Sequence, residues 1–291
     1  MAALAHEERV DWRKTIPFAL MHLACVPALW CGVSPLALGL CLFNYAIRMF
    51  GITAGYHRYF SHRSYKTGRL FQFGLAWLGA CAAQLGPLWW AAHHRHHHLH
   101  SDTEDDAHPP GIKGFLWSHM GWIFCPRYSL THYERMRDFA AYPELHFIER
   151  NWLLPPTLLA LSTLALGWWL GQRTPQLGTN GLQLLTWGFF VSTCLLYHAT
   201  FCINSMAHLW GSRRYETRDD SRNNWLLALL TLGEGWHNNH HQYPSSERQG
   251  FFWWEIDPTH YGLWLLSKLG LVWDLRSPPA SAYRGGPKCL S

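Results

Sequence analysis

Residues 70–100 read LFQFGLAWLGACAAQLGPLWWAAHHRHHHLH, an apolar run that leads directly into a histidine-rich one. Six of the eight residues from His93 to His100 are histidines, and the acidic stretch SDTEDDAHPP follows them. A purification tag lies at a chain end, whereas this run lies well inside the chain and is interrupted by Arg95 and Leu99. The rest of the sequence must therefore explain what so many imidazoles are for.

The apolar residues of the chain are gathered into long segments that are almost free of charge. The chain has 291 residues and 20 histidines, and this distribution of apolar residues indicates a membrane protein rather than a soluble domain. A bilayer core about 30 Å thick requires about 20 helical residues, so each long apolar run is a candidate span. Five runs qualify, at residues 16–32, 33–54, 70–90, 153–171 and 182–203.

Basic residues predict how these runs are oriented. Three precede the first run, ten lie from Arg58 to Arg150 and nine follow position 212, whereas only Arg48 and Arg173 lie elsewhere. By the positive-inside rule the N-terminus, the central segment and the C-terminus all face the cytoplasm. Run 70–90 then cannot cross the membrane, and Trp77 and Trp90 suit an interfacial helix. We expect an all-α integral membrane protein with four transmembrane helices in two hairpins, at 16–32 with 33–54 and at 153–171 with 182–203.

Histidines recur at three further places that this topology brings to the same membrane face. These are HRYFSH at 57–62, NSMAH at 204–208 and HNNHH at 237–241. In HxxHH, residues i, i+3 and i+4 share one helical face, so three imidazoles can point into one site. Imidazole binds Zn, Cu, Fe and Ni alike, and nine convergent imidazoles exceed the ligand set of one metal ion, which indicates two. The run at 93–100 contains two overlapping frames, His93/His96/His97 and His94/His97/His98, and spacing does not choose between them.

HRYFSH, HRHHH and HNNHH, with NSMAH between the last two, resemble the histidine boxes and the additional histidine of membrane fatty acyl desaturases of the stearoyl-CoA type. The resemblance covers nearly the whole chain, which would make residues 1–291 a single desaturase domain of bacterial type. It implies that a cytosolic helical cap above the four transmembrane helices holds a di-iron site. It also selects the frame that begins at His94, leaving His93, His96 and His100 without a role as ligands.

Carried over by resemblance, one set of residues would hold the irons and another would line a bent tunnel for the acyl chain. The implied ligands are His57, His62, His94, His97, His98, His208, His237, His240 and His241, with Asn204 acting through water. Gln84, Trp90 and Thr200 would line the bend of the tunnel, and Tyr45 would lie near its closed end. Acidic residues could orient the ligand imidazoles from behind, and the candidates are Asp102, Glu104, Asp105, Asp106 and Glu234.

The resemblance implies an O2-dependent enzyme that introduces a cis double bond near the middle of a saturated acyl chain, with two iron ions as cofactor. It favours acyl-CoA as the substrate, although Ala91, Ala92 and His93 stand where animal relatives carry a basic residue. The chain has no room for a haem or iron–sulfur module after HNNHH. Electrons would therefore come from a separate NAD(P)H reductase through a small haem or iron–sulfur carrier. The partners are thus the bilayer, the acyl substrate and this electron chain, with no nucleic acid, and the location is the inner membrane if the protein is bacterial.

Several other readings compete with this one. A metal-buffering loop of a transporter is disfavoured because transporters place polar ligands inside their spans, and these spans carry few ionisable residues. Glu234 and His237 have the ExxH spacing of carboxylate di-iron bundles, but no second ExxH exists, and HExxH of zinc peptidases is absent. An acyl-lipid desaturase, a membrane di-iron hydroxylase and a non-catalytic metal-binding membrane protein all remain open.

Overall fold

A computed structural model describes residues 8–283, so the two ends of the predicted 1–291 domain lie outside the described part. This part is mostly helical, as the predicted all-α class requires. The helices in chain order are α1 (Trp12–Leu23), α2 (Pro35–Ser61), α3 (Arg69–Ala80), α4 (Pro87–His100), α5 (Pro110–Lys113), α6 (Phe115–His119), α7 (Pro143–Arg150), α8 (Leu154–Arg173), α9 (Gly181–His208), α10 (Trp225–Leu230), α11 (His237–Gln242) and α12 (Pro258–Lys268). Two short antiparallel strands, β1 (Lys66–Thr67) and β2 (Val272–Trp273), join the middle of the chain to its C-terminal part.

Within residues 8–283, three helices are long and apolar enough to cross a membrane. They are α2, α8 and α9, with 27, 20 and 28 residues. At about 1.5 Å per residue each reaches about 30 Å or more, the thickness of a bilayer core. They cover the predicted spans 33–54, 153–171 and 182–203. The backbones of α8 and α9 approach closely, because a Cβ on Gly167 would lie 2.6 Å from the carbonyl oxygen of Asn180.

The segment predicted as a span at 16–32 is not one helix. Helix α1 ends at Leu23, and a separate 3₁₀ turn follows at Val26–Leu29. Pro27 accounts for the interruption, since it has no N–H to donate and disfavours α-helical geometry in the residue before it. Helix α1 alone has 12 residues, about 18 Å, and so does not reach across a bilayer core.

The predicted single helix at 70–90 is also wrong, because the structure divides it into α3 and the first turn of α4. The intervening turn holds Ala83 and Leu85 in left-handed backbone conformations, with φ of 55° and 66°. Such conformations cost about 1 kcal/mol or more for residues other than glycine and persist only where the surroundings fix them. Here the hydroxyl of Tyr197 donates to the Ala83 carbonyl and that of Tyr56 donates to the Leu85 carbonyl. Neither α3 nor α4 is long enough to cross a membrane alone.

Helices α2 and α3 pack closely together at two glycines. A Cβ on Gly79 would lie 2.3 Å from the ring of Tyr56, and one on Gly51 would lie 2.7 Å from the backbone of Leu78. The main apolar core surrounds this contact and includes Phe60 from α2. The contact therefore fixes the end of α2, which carries the first histidines, against the segment that leads to α4.

Candidate metal centre

Histidines from four remote segments come together in two adjacent groups. Site A contains the rings of His57, His62, His94, His98 and His240, and site B contains those of His97, His208, His237 and His241. Within each group the candidate ligand atoms all lie within 4.8 Å of one another. The rings of His98 and His241 stack with their centroids 4.4 Å apart, so the two sites adjoin. The nine histidines of the resemblance are the nine that form sites A and B.

The end of α2 has π-helical hydrogen bonding over Gly51–Ser61, and this brings the first two histidines together. The N–H of His62 donates to the carbonyl of His57, five residues earlier. In an α-helix, residues five apart point about 140° away from each other, because each residue turns the chain by about 100°. With the wider turn, the two rings lie 4.8 Å apart at their centroids. Such π-helical segments are rare and occur frequently at functional sites.

Helix α4 is fixed at its first turn by a buried carboxylate. Pro87 occupies the first position, where its missing N–H costs nothing, and Glu149 accepts hydrogen bonds from the N–H groups of Leu88 and Trp89. At the other end, the guanidinium of Arg95 donates to the carbonyl of Phe60 and to Asp138. These contacts anchor α4 beside the end of α2.

Each HxxHH motif supplies both sites rather than one, which corrects the expectation that its three imidazoles point into a single site. In α4, His94 and His98 belong to site A and His97 to site B. In α11, His240 belongs to site A while His237 and His241 belong to site B. Residues i and i+4 of a helix lie closer to the same face than residues i and i+3 do. In each motif the first and last histidines therefore share one site, and the middle histidine belongs to the other.

The separations between ring nitrogens fit coordination of one ion at each site. Pairs of Nε2 atoms lie 3.0 Å apart for His57 and His240, 2.9 Å for His62 and His94, and 3.0 Å for His208 and His237. Two nitrogens each about 2.1 Å from a metal ion and at a right angle to each other are about 3.0 Å apart. These pairs therefore have the spacing of neighbouring ligands in an octahedral or related geometry.

Carboxylates behind the rings fix which nitrogen faces each site. The Nδ1 of His208 lies 2.8 Å from Asp102, and that of His241 lies 2.7 Å from Asp219. An Nδ1 that donates to a carboxylate carries the proton, so the Nε2 of a neutral ring offers a bare lone pair. The Nε2 of His241 is buried and has no hydrogen-bond partner among the described residues. Bare lone pairs that face one another repel unless a cation lies between them, so the donor set fits a metal ion.

Two further carboxylates complete this outer layer. Asp106 lies 3.0 Å from the Nδ1 of His97, and Glu234 contacts the Nδ1 of His57. Of the five acidic residues proposed from sequence, Asp102, Asp106 and Glu234 contact candidate ligands, whereas the side chains of Glu104 and Asp105 are exposed. The sequence prediction missed Asp219. It lies in the polar segment RRYETRDDSRNN, where no spacing singles it out from Asp220.

The protonation states suit this arrangement. Burial lowers the pKa of His94, His98 and His240 well below its ordinary value, and neighbouring imidazoles lower it further, so these rings are neutral at pH 7. Burial alone would raise the pKa of Asp219, but the hydrogen bond from His241 lowers it below its ordinary value. These three rings of site A are therefore neutral nitrogen donors, and an ionised carboxylate lies behind His241 of site B.

Glu234 is itself held by a buried arginine. The Arg58 guanidinium lies 3.1 Å from Glu234 and 2.9 Å from Asp257, and all three side chains are almost fully buried. The Nε2 of Gln249 also donates to Glu234, at 2.9 Å. These contacts leave one Glu234 oxygen directed at His57. A charged network that sequence spacing does not reveal thus supports site A.

An apolar cavity of about 420 Å³ reaches the edge of the metal centre, within the range of small-ligand sites. His94 and Asn204 lie on its wall, together with Gln84, Trp90 and Thr200. The Gln84 side chain links the other two, because its amide donates to Thr200 at 3.1 Å and its carbonyl accepts from Trp90 at 3.3 Å. The Trp90 ring stacks on that of His94, with centroids 5.1 Å apart. A bound chain in this cavity would contact a candidate ligand directly.

The remaining residues singled out from sequence lie elsewhere. Tyr45 is not on the wall of this cavity, and its hydroxyl donates to the carbonyl of Leu230 in α10. His96 bonds to the Asp105 carbonyl, and His100 lies beside His96 on the outer face of α4. His93 lines the cavity, with its Nδ1 2.9 Å from the carbonyl of Trp89.

Comparison with known proteins agrees with the arrangement of the histidine segments. The family model described as fatty acid desaturase matches residues 33–275. This chain belongs to the fatty acid desaturase family. The matched region includes both candidate sites and all three long apolar helices. The predicted resemblance is thereby confirmed.

Three relatives illustrate the range of substrates in the desaturase family. The chain is 37% identical to sn-2 palmitoyl-lipid 9-desaturase of Nostoc sp. (strain 36), over 95% of this chain and 94% of the relative. It is 36% identical to sn-1 stearoyl-lipid 9-desaturase of Anabaena variabilis, over 94% and 97%. It is 38% identical to acyl-CoA C20 Delta5-desaturase of Anemone leveillei, over 82% and 73%. Desaturases are O2-dependent oxidoreductases, and the chain is an enzyme of this class.

Proposed function

We propose that this protein uses O2 to introduce a cis double bond near the middle of a saturated fatty acyl chain, at a centre of two histidine-bound iron ions. Sites A and B would each hold one iron, and Asn204 would contact the centre through a water molecule. The observation that carries the proposal is that the apolar cavity reaches His94 of site A, which adjoins site B. A chain lying in this cavity would pass beside the metal ions.

Iron, when bound, would supply the activated oxygen needed to remove hydrogen from an unactivated methylene, for which side chains alone are too weak as bases. The protein's own contribution is to bind, orient and exclude water. Imidazoles held by Asp102, Asp106, Asp219 and Glu234 cannot rotate away from the ions. The apolar wall of the cavity keeps water from the methylene groups.

The position of the double bond would depend on where the chain bends past Gln84, Trp90 and Thr200. These side chains bond to one another, so the wall beside His94 has a fixed shape. Holding one pair of carbons next to the reacting centre is a large part of catalysis, and a displacement of about 1 Å can cost about 100-fold in rate. A rigid wall would therefore select one bond along a uniform chain.

The proposal includes the surroundings of the enzyme. Two electrons per turnover would come from a separate NAD(P)H reductase through a small haem or iron–sulfur carrier. Four membrane crossings would place the termini and the metal centre on the cytoplasmic side, with α1 and the 3₁₀ turn after it as the fourth crossing. This orientation follows the distribution of Lys and Arg.

The test is expression in a host that lacks mid-chain desaturation, with fatty acids analysed by mass spectrometry that locates double bonds. We expect a new monounsaturated acid from the wild type and none from His237→Ala, because that change removes a ring of site B. His100→Ala is the matched control, since His100 belongs to neither site and its half-exposed ring lies 3.9 Å from Asp105, so this variant should retain activity. A hydroxy acid as the main product, or activity retained by His237→Ala, would refute the proposal.

A further inference from the structure

Two short helices of the C-terminal part, α10 and α12, carry rows of exposed apolar side chains that the proposed reaction does not explain. On α12 the side chains of Tyr261, Trp264 and Leu265 are 47%, 51% and 56% exposed. These positions have the spacing i, i+3 and i+4, so they share one face of the helix. Leu263, on another side of α12, is fully buried in the main core. Helix α12 therefore has one face in the protein and one apolar face without a protein partner among the described residues.

Helix α10 is more apolar still, because its sequence, WLLALL, contains no charged residue. Leu227 and Ala228 are buried against the protein. The other four residues are 39–66% exposed, and they are Trp225, Leu226, Leu229 and Leu230. Single exposed apolar residues are common on protein surfaces, whereas contiguous rows of them mark an interaction surface.

Contacts with α2 fix the depth at which α10 lies. The ends of the three long helices that are far from the metal centre meet, because Ser34, which caps α2, lies 2.6 Å from Thr179 between α8 and α9. A bilayer core about 30 Å thick therefore begins near this level. Tyr45 comes ten residues after Pro35, the first residue of α2, and so lies about 15 Å into the core. The Tyr45 hydroxyl donates to the carbonyl of Leu230, so α10 lies within the thickness of the core.

Helix α12 contacts α2 closer to the metal centre. A Cβ on Gly262 would lie 2.7 Å from the ring of Phe50, and the hydroxyls of Thr259 and Thr53 are 2.7 Å apart. Phe50 and Thr53 lie about 22 Å and 27 Å from the beginning of α2 at 1.5 Å per residue. Helix α12 therefore lies where the core ends on the side of the metal centre.

The exposed face of α12 has the composition expected at that boundary. Tyrosine and tryptophan side chains are enriched at the level of the lipid headgroups, and Tyr261 and Trp264 provide them here. The Nζ of Lys268 lies 5.2 Å from the centre of the Trp264 ring, and a basic group in this place suits lipid phosphates. The sequence Pro258–Lys268 contains no acidic residue that would be repelled by them.

We propose that α10 and α12 are immersed in the leaflet on the side of the metal centre, with α10 among acyl chains and α12 at the level of the headgroups. The surface of α2 beside Tyr45 continues into theirs, because Leu42 and Phe43 are 58% and 61% exposed. Asp257, directly before α12, pairs with Arg58 next to the first ligand, at 2.9 Å. The immersed helices would thus hold the metal centre at the bilayer surface, whatever reaction it performs.

The experiment uses the full-length protein in proteoliposomes of phosphatidylcholine and phosphatidylglycerol, with p-benzoylphenylalanine in place of one leucine. Leu229 on α10 and Leu265 on α12 are the test positions. Leu99 is the matched control, because it is a 79% exposed leucine at the end of α4, close in sequence to the exposed Glu104 and Asp105. After illumination, we expect lipid adducts at both test positions and about tenfold fewer at Leu99, since only the immersed positions adjoin hydrocarbon. Mass spectrometry of the peptides counts the adducts.

A charged substitution provides an independent measurement. Leu229→Asp should lower the melting temperature in proteoliposomes, because a carboxylate within hydrocarbon is costly, whereas Leu99→Asp should leave it unchanged. Adducts at Leu229 and Leu265 that are no more frequent than at Leu99 would overturn the immersion. Crosslinks between two chains at these positions, in place of lipid adducts, would also overturn it and would show that a second copy covers the surface. Equal melting temperatures for Leu229→Asp and the wild type would contradict the depth of α10.

Discussion

Replacing Asp219 by Asn tests whether the carboxylates behind the imidazoles hold the metal centre together. Asp219 lies 2.7 Å from the Nδ1 of His241, whose side chain is 1% exposed and whose Nε2 has no hydrogen-bond partner within residues 8–283. Asparagine keeps the shape and can still accept a hydrogen bond, so the change removes mainly the negative charge. Loss of such an outer partner weakens metal binding by about 10–100-fold, or about 1.4–2.7 kcal/mol.

The assay is a titration of the purified protein with chelators of graded affinity, with bound iron counted per chain. We expect the wild type to hold two irons and Asp219→Asn to lose one of them at a weaker chelator, because His241 belongs to site B alone. Asp220→Asn is the matched control, since Asp220 pairs at the surface with Arg213, at 3.5 Å, and is 60% exposed. Iron affinity that stays within twofold of the wild type in Asp219→Asn, or an equal loss in the control, would contradict the reasoning.

Three further outcomes follow from the contacts described. His98→Ala should leave one iron per chain and abolish desaturation, whereas His96→Ala, which lies outside both sites, should retain both irons and the activity. Iron counting and product analysis test this, and two irons per chain in His98→Ala would contradict it. Arg58→Met should lower the free energy of unfolding by about 3–5 kcal/mol, because it leaves buried carboxylates without a partner, whereas Arg63→Met at the surface should have little effect. Melting curves in detergent test this, and equal melting temperatures for the two variants would contradict the prediction. The iron-free protein should lose stability as the pH falls through about 6.5. Burial holds the pKa of rings such as His240 below the pKa of the same rings in the unfolded chain, so below this pH the unfolded chain binds more protons than the folded one. The loss should be about 1.4 kcal/mol per buried imidazole per pH unit. A melting temperature that is constant between pH 7.5 and 5.5 would show that the rings are not buried as neutral groups.

The grouping of the histidines was predictable because helical spacing and membrane sidedness are both properties of the sequence. The spacing of HNNHH predicts that His237, His240 and His241 share one helical face. The distribution of Lys and Arg predicts that this segment lies on the same side of the membrane as the other histidine motifs. The division of this face between two metal ions was not predictable. It depends on which rings arrive from other segments, such as His57 and His208, and local spacing does not contain that information.

The departures from prediction lie where backbone geometry departs from regular helix. The π-helical end of α2 unites His57 with His62, which α-helical periodicity would separate. The turn between α3 and α4 depends on hydroxyl groups of Tyr56 and Tyr197, which come from distant parts of the chain. Apolar periodicity reports burial, so it joined α3 to α4 in a single run and could not detect a turn that tertiary contacts hold in place.

The carboxylates behind the rings also set the electrical balance of the centre. The pKa values of Asp102, Asp106, Asp219 and Glu234 all lie below the ordinary range despite the burial that opposes this, so the four groups together carry four negative charges. Two divalent ions among neutral imidazoles would carry four positive charges. The filled centre would then be electroneutral, which limits the Born cost of seating it beside hydrocarbon. A change in the total charge of the bound ions would break that neutrality, because the four carboxylates are held in place behind the rings.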